Sequence, residues 1–191
     1  MDKIFVEPVD KVYACCDTLI TAQDVASASR FQNERRRREH LAWRRVVRRE
    51  LGRDVDIDYN AVGAPVVSIP NIYISVAHAG EMVAVAISDR RVGVDIERAD
   101  RDFSRAASRY MSAAEAALAT HDRWAGEVWC AKEAMYKYYG KQGVDLLDDL
   151  HVESYDGERG ILVGRMVGME SVEVEISDFR DNFIVARAVS R

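Results

Sequence analysis

Two short stretches of the chain gather carboxylates and ammonium groups at spacings that suit phosphate chemistry. In Arg91-Val92-Gly93-Val94-Asp95-Ile96-Glu97 a β-branched run alternates with period two. Val92, Val94 and Ile96 then share one face of a strand, and Gly93, Asp95 and Glu97 the other. Two carboxylates on one strand face, next to a glycine that lets something approach the backbone, are costly unless a cation or basic partner sits there. The second stretch is Trp129-Cys130-Ala131-Lys132-Glu133-Ala134-Met135-Tyr136-Lys137, strongly helical by composition. At about 100° per residue, Lys132, Glu133, Tyr136 and Lys137 fall on one side and Ala131, Ala134, Met135 and Tyr138 on the other. Glu133 and Lys137 also read as an ordinary i,i+4 surface pair. Joined with Asp95 and Glu97, however, Glu133 completes three carboxylates, a set suited to Mg²⁺, which takes hard oxygen ligands and keeps substrate phosphate oxygens in its remaining positions.

The totals narrow the setting. The chain has 191 residues, 48% hydrophobic and 31% charged, enough for a real core in one domain or two small halves. Its opening run carries charges, and no window is apolar for long enough to span a bilayer; a soluble, cytoplasmic protein is expected. Cys15, Cys16 and Cys130 match no zinc spacing and read as reduced structural thiols. A net charge of −5 argues against a general nucleic-acid binder. Yet arginines crowd Arg30 to Arg53, with Arg35, Arg36, Arg37 and Arg38 in succession. They read either as a solvated helix face or as a local site for phosphate or an acidic partner.

The elements that must carry these residues follow from patterning. Strands are expected at residues 3–8 and 11–15, then a helical turn or loop at 24–29. A helix over 31–52 would bury Leu41, Trp43, Val46, Val47 and Leu51 and expose its arginines. Short strands follow at 66–68, 72–76, 82–88 and 91–97, the last two joined as a hairpin through Ser88-Asp89-Arg90. His78 falls in a small-residue loop between two of them. Ser112 and Glu115 form a capping box for a helix over 113–119, a second helix runs over 124–140, and strands are expected at 150–154, 161–167, 171–177 and 183–189. This helix-then-strands order, met twice, implies an α+β pseudo-repeat with halves at 1–98 and 99–191 and the site at the seam.

The ordered pair of motifs, Val92-Gly93-Val94-Asp95-Ile96-Glu97 and Trp129-x-x-Lys132-Glu133-Ala134-x-x-Lys137, resembles the surfactin-type 4′-phosphopantetheinyl transferases. Weaker matches lie at Arg30-Phe31, Gly63 and Pro65, His78 and Gly80, and Arg109-Tyr110-Met111-Ser112 leading to Glu115. The resemblance implies a monomeric pseudo-dimer of two similar helix-plus-antiparallel-sheet halves. It also implies transfer of the phosphopantetheine arm of coenzyme A to a serine of an apo acyl or peptidyl carrier protein, as in fatty acid, polyketide or nonribosomal peptide biosynthesis, leaving adenosine 3′,5′-bisphosphate. Asp95, Glu97 and Glu133 would hold Mg²⁺, or Mn²⁺, on the diphosphate. Lys137 would contact a phosphate, Lys132 would be the motif's second lysine, and His78 would reach the 3′-phosphate region. Two positions depart from the pattern: Ala64 where many relatives carry a basic residue, and Ala77 where many carry a serine.

The residue types suit that reaction in their own right. Attack of a hydroxyl on the β-phosphate develops charge that a divalent ion and an ammonium group stabilise by position and field. Glu133 is the first choice of base, directly or through a water; Arg38 is the single arginine chosen for the 3′-phosphate or an acidic carrier protein. Two other readings stand beside it. One is a metal-dependent phosphoester hydrolase; the other is a module that binds coenzyme A or a carrier protein without turnover.

Overall fold

The computed structural model describes residues 1–10, 17–180 and 182–191. The strand expected at 11–15, with Cys15 and Cys16, lies outside the described residues. The elements are β1 (Asp2–Pro8), a 3₁₀ turn (Asp17–Leu19), α1 (Ala22–Ala28), α2 (Glu34–Leu51), β2 (Ile57–Tyr59), β3 (Pro65–Val67), β4 (Tyr73–Ala79), β5 (Met82–Ser88) and β6 (Val92–Arg98). After a second 3₁₀ turn (Ser104–Arg109) come α3 (Ala113–Ala116), α4 (Trp124–Tyr139), β7 (Leu150–Asp156), β8 (Ile161–Met166), β9 (Val172–Phe179) and β10 (Phe183–Ser190). Helices and antiparallel strands mix as expected of an α+β fold. No helix among the described residues is long and apolar enough to cross a membrane.

Among the described residues three sheets form, ordered β1-β5-β4, β6-β10-β9-β8-β7 and β2-β3. β6 was expected to form a hairpin with β5, but it bonds antiparallel to β10 instead, with Asp95 opposite Ala186 and Glu97 opposite Ile184. The reason lies in the neighbours of β5. β5 is buried along its whole length and has β1 and β4 on its two sides, so no edge remains for β6. The carboxylate strand therefore belongs to the C-terminal sheet, and the two larger sheets have three and five strands.

Period-two patterning then stacks the layers. Val83, Val85 and Ile87 of β5 pack with Trp43, Val46 and Val47 of α2. The opposite face of β5, with Ala84 and Ala86, meets Val92, Val94 and Ile96 of β6 and Val185 of β10. On the far face of the larger sheet, Ile184, Ala186 and Ala188 receive Val128, Ala131, Ala134 and Met135 of α4. The order is helix, sheet, sheet, helix, which leaves the Gly93, Asp95 and Glu97 face of β6 turned to α4.

α2 does not expose all its arginines. Arg44 and Arg48 are buried, and their guanidinium groups close on Asp24 of α1 at 3.0 and 2.8 Å. Burial alone would raise the Asp24 pKa, but hydrogen bonds from Arg48, Thr21 and Arg44 outweigh it and hold it at about 2. A helical wheel misses this because the carboxylate that neutralises the arginines arrives from another helix.

Candidate functional site

Gly93 sets how closely β6 approaches α4. A Cβ built there would fall 1.9 Å from the Ala134 carbonyl oxygen and 2.7 Å from the Tyr138 nitrogen, so any side chain would force strand and helix apart. This contact brings Asp95, two residues on, beside Lys137 at the helix C-terminal end. Lys137 Nζ donates to Asp95 Oδ1 at 2.7 Å and to the Val94 carbonyl at 2.9 Å. The Val94 N–H donates to Ser75 Oγ of β4 at 3.0 Å. One residue of β6 thus ties α4 to the smaller sheet, and the site sits where the two layers' edges meet.

The carboxylates are partly held and partly open. Asp95 is 7% exposed, and its Oδ2 is buried without a hydrogen-bond partner among the described residues. The neighbouring Cys130 thiol donates weakly to the Ile184 carbonyl at 3.6 Å; its pKa is pushed well up, by burial first and then by Asp95. Glu97 receives Trp129 Nε1 at 2.8 Å and Arg101 at 2.7 Å, both on Oε1. The Glu133 carboxyl pKa is raised, by burial first and then by Asp95, with Glu97 adding to it and Lys137 and Arg101 opposing. The three acids therefore feel one another. Yet among the described residues no three His, Cys, Asp or Glu side chains are gathered closely enough to form a ready metal site. A divalent ion nevertheless suits what is present. An unpaired buried carboxylate oxygen and a glutamate whose charge is disfavoured by two other acids are what added positive charge would relieve, and a ligand's own oxygens would complete the shell.

Lys132 does not share this site. It is fully buried, with Nζ donating to the Tyr110 carbonyl at 2.6 Å, the Leu146 carbonyl at 2.8 Å and Glu115 Oε2 at 3.0 Å. All three donors are spent in the core, which corrects its placement beside a ligand. The wheel erred because it assumes one wet face, whereas α4 packs against sheet on one side and against the segment around α3 on another. Glu115 serves as the expected capping box and also as the lysine's counter-ion. The i,i+4 pair of Glu133 with Lys137 does not form; Lys137 reaches across to β6 instead.

His78 lies in β4 rather than in a loop, and Gly80-Glu81 makes the tight turn to β5, with Gly80 at φ +54. An N–H of Arg36 meets His78 Nε2, and Glu39 Oε2 lies 3.7 Å from Nδ1. The imidazole pKa is lowered, by burial first and then by Arg36, Lys137 and Arg35 against the pull of Glu39. Nε2 therefore accepts and the ring is neutral at pH 7. A basic track runs from Lys137 past His78 to Arg36 and Arg35, whose NH2 donates to the Gly80 carbonyl at 2.6 Å. Arg38 lines a cleft of about 260 Å³ with Arg35, Gly80 and Glu81, and its NH1 pairs with Asp10 at 3.1 Å. Arg36, not Arg38, is the arginine at the histidine. A second cleft of about 210 Å³ runs from Lys137 and Tyr136 past Ser75 to Gly63, Ala64 and Pro65.

Sequence reasoning alone also missed Arg101 and the hydrogen bond of Trp129. Trp129 stands in the helix motif, but only the fold shows that its indole reaches Glu97. No curated protein matches the chain. Residues 91–185, which run from the carboxylate strand through α4 into β10, match the family model of the 4′-phosphopantetheinyl transferase superfamily, ACPS, so that this stretch is similar to a transferase family.

Proposed function

We propose that the chain transfers the 4′-phosphopantetheine arm of coenzyme A to a serine of an apo acyl or peptidyl carrier protein, in the manner of the surfactin-type members, and releases adenosine 3′,5′-bisphosphate. The observation that carries this reading is Asp95, one oxygen on Lys137 and the other buried without a well-placed donor among the described residues, on the motif strand of the stretch that matches the superfamily. The two helix-on-sheet units are read as halves of a pseudo-dimer working as a cytoplasmic monomer; because β6 pairs with β10, the boundary expected after residue 98 moves to the turn before Val92.

Asp95, Glu97 and Glu133 would hold Mg²⁺, which when bound would offset charge on the diphosphate and on the phosphoryl oxygens. The chain's own groups do the rest. Lys137, a quarter exposed, can turn from Asp95 to a diphosphate oxygen and oppose charge on the leaving group. Glu133, directly or through a water, takes the serine proton. His78 offers a neutral ring, and Arg36 and Arg35 their charge, to the 3′-phosphate. Arg38 can join them only by leaving Asp10.

Intact-mass measurement of an apo carrier protein with coenzyme A, Mg²⁺ and this protein tests the reading. One added phosphopantetheine is expected, lost in Asp95→Ala and Glu133→Ala variants that keep their circular dichroism. Unchanged transfer in both variants rejects the site. Adenosine bisphosphate released with no gain of mass selects the hydrolase instead, and binding of coenzyme A with neither product selects the binding module.

A further inference from the structure

Arg101 brings a second positive charge to the acidic cluster, and its surroundings show why it is held there. It lies outside β6, four residues past Glu97, with its guanidinium 4.8 Å from the Phe103 ring centroid and 5.4 Å from that of Trp129. From between these two rings it reaches Glu97 Oε1 at 2.7 Å. Both ring faces favour a cation and restrict where it can go. Trp129 Nε1 already donates to the same oxygen at 2.8 Å, so the orientation of Glu97 is fixed by a neutral donor and does not need the arginine. What Arg101 adds is charge, and Glu97 Oε2 accepts no hydrogen bond from a described residue.

We infer that Arg101 is a built-in competitor of the divalent ion, a positioning residue whose charge on Glu97 weakens the ion's hold until a diphosphate supplies further oxygens. This rests on the reading of Asp95, Glu97 and Glu133 as the ion-holding set. With Lys137 on Asp95 and Arg101 on Glu97, two of the three acids are neutralised before an ion arrives. A dication entering there meets two cations already paired with its ligands. A diphosphate ligand reverses the balance, because it brings its own negative oxygens and gives Lys137 another partner.

Mn²⁺ titration followed by the electron paramagnetic resonance signal of the free ion, with and without inorganic pyrophosphate, tests this without any turnover. Wild-type protein is expected to bind Mn²⁺ weakly alone and more tightly with pyrophosphate. Arg101→Gln should tighten binding of Mn²⁺ alone by about tenfold, the scale of removing one nearby partly screened charge, and should shrink the gain from pyrophosphate. Arg101→Lys, which keeps the charge, should stay near wild type. Unchanged or weaker binding in Arg101→Gln overturns the inference, as does Arg101→Lys behaving like Arg101→Gln. Asp95→Asn separates the two levels. If it removes Mn²⁺ binding while Arg101→Gln has no effect, only the competition falls; if it leaves Mn²⁺ binding intact, the ion-holding site falls with it.

Discussion

Two lysines five residues apart on one helix each meet a carboxylate, and the pairs have opposite characters. Lys132 and Glu115 are both buried, 0% and 2% exposed, and every donor and acceptor between them is used. The side chains of Lys137 and Asp95 are 26% and 10% exposed, and Asp95 Oδ2, near the Cys130 thiol, has no hydrogen-bond partner of good geometry among the described residues. The Lys132 pKa is lowered, by burial first, against the pull of Glu115. A buried ion pair with all its hydrogen bonds made acts as a strut. The second pair differs: Lys137 lines a cleft and is a quarter exposed, and the buried Oδ2 of Asp95 is left without a donor among the described residues. The Asp24, Arg44 and Arg48 lock is as buried as the first kind, although Arg44 Nε finds no hydrogen-bond partner among the described residues.

The sharpest way to break this comparison is to delete one member of each pair. Lys132→Met leaves Glu115 buried without its counter-ion and is expected to cost about 3–5 kcal/mol of stability, while folded molecules keep transfer activity within a few fold. Urea unfolding beside single-turnover transfer reads both. Asp95→Asn should do the reverse, lowering transfer by about 10²–10³-fold and leaving the unfolding midpoint close to wild type. A large stability loss for Asp95→Asn, or an inactive but stable Lys132→Met, would merge the two pairs into one class. Next in size is Arg36→Ala. It should raise KM for coenzyme A by about tenfold, roughly 1.4 kcal/mol, with kcat little changed; the same substitution at Arg38 should have the smaller effect, because Arg38 is engaged with Asp10. Steady-state kinetics of both variants would show whether the basic track passes through His78.

Most of the strands and both long helices were legible because their patterning is local. The alternation of β6 and the apolar stripe of α2 need nothing from the rest of the chain to be read. Strand partnership was not legible in the same way. Val92–Arg98 follows β5 after a short turn, yet it pairs with β10 because β5 is already flanked, and that depends on β1, far away in sequence. The same limit explains the site. Asp95, Glu97, Glu133 and Lys137 lie near enough to influence one another, and both motifs announce charge on a packed element. Lys132 could not be separated from Lys137 by sequence, because the acid that draws it inward lies in a capping box on α3. Arg101 stands in a run of charged residues that looks like solvated loop; only the Phe103 and Trp129 rings around it give it a fixed place.

The smallest effect sharpens the comparison most, since it concerns stability inside the site. The Glu133 pKa is raised above the ordinary glutamate value of 4.5 by burial and by Asp95. Below that value the carboxyl is protonated in both folded and unfolded chains and costs nothing. As pH rises through the folded pKa, the folded protein must ionise it beside another acid, and that stability is lost. Glu133→Gln should therefore match wild type near pH 4.5 and exceed it at pH 8 by about 1 kcal/mol, the size of one like-charge contact near water. Asp24 has the opposite sign: its pKa is depressed to about 2, so its contribution is present at neutral pH and fades as pH falls from the ordinary carboxylate range toward 2. Thermal melts of wild type and Glu133→Gln in EDTA at both pH values measure the difference. Adding Mg²⁺ at pH 8 should raise the wild-type midpoint more than that of Glu133→Gln, because an ion offsets the repulsion that the amide never had. Equal midpoints for the two proteins at pH 8 in EDTA would mean that Glu133 rests in the site without strain, and its role as the group awaiting positive charge would pass to Asp95 alone.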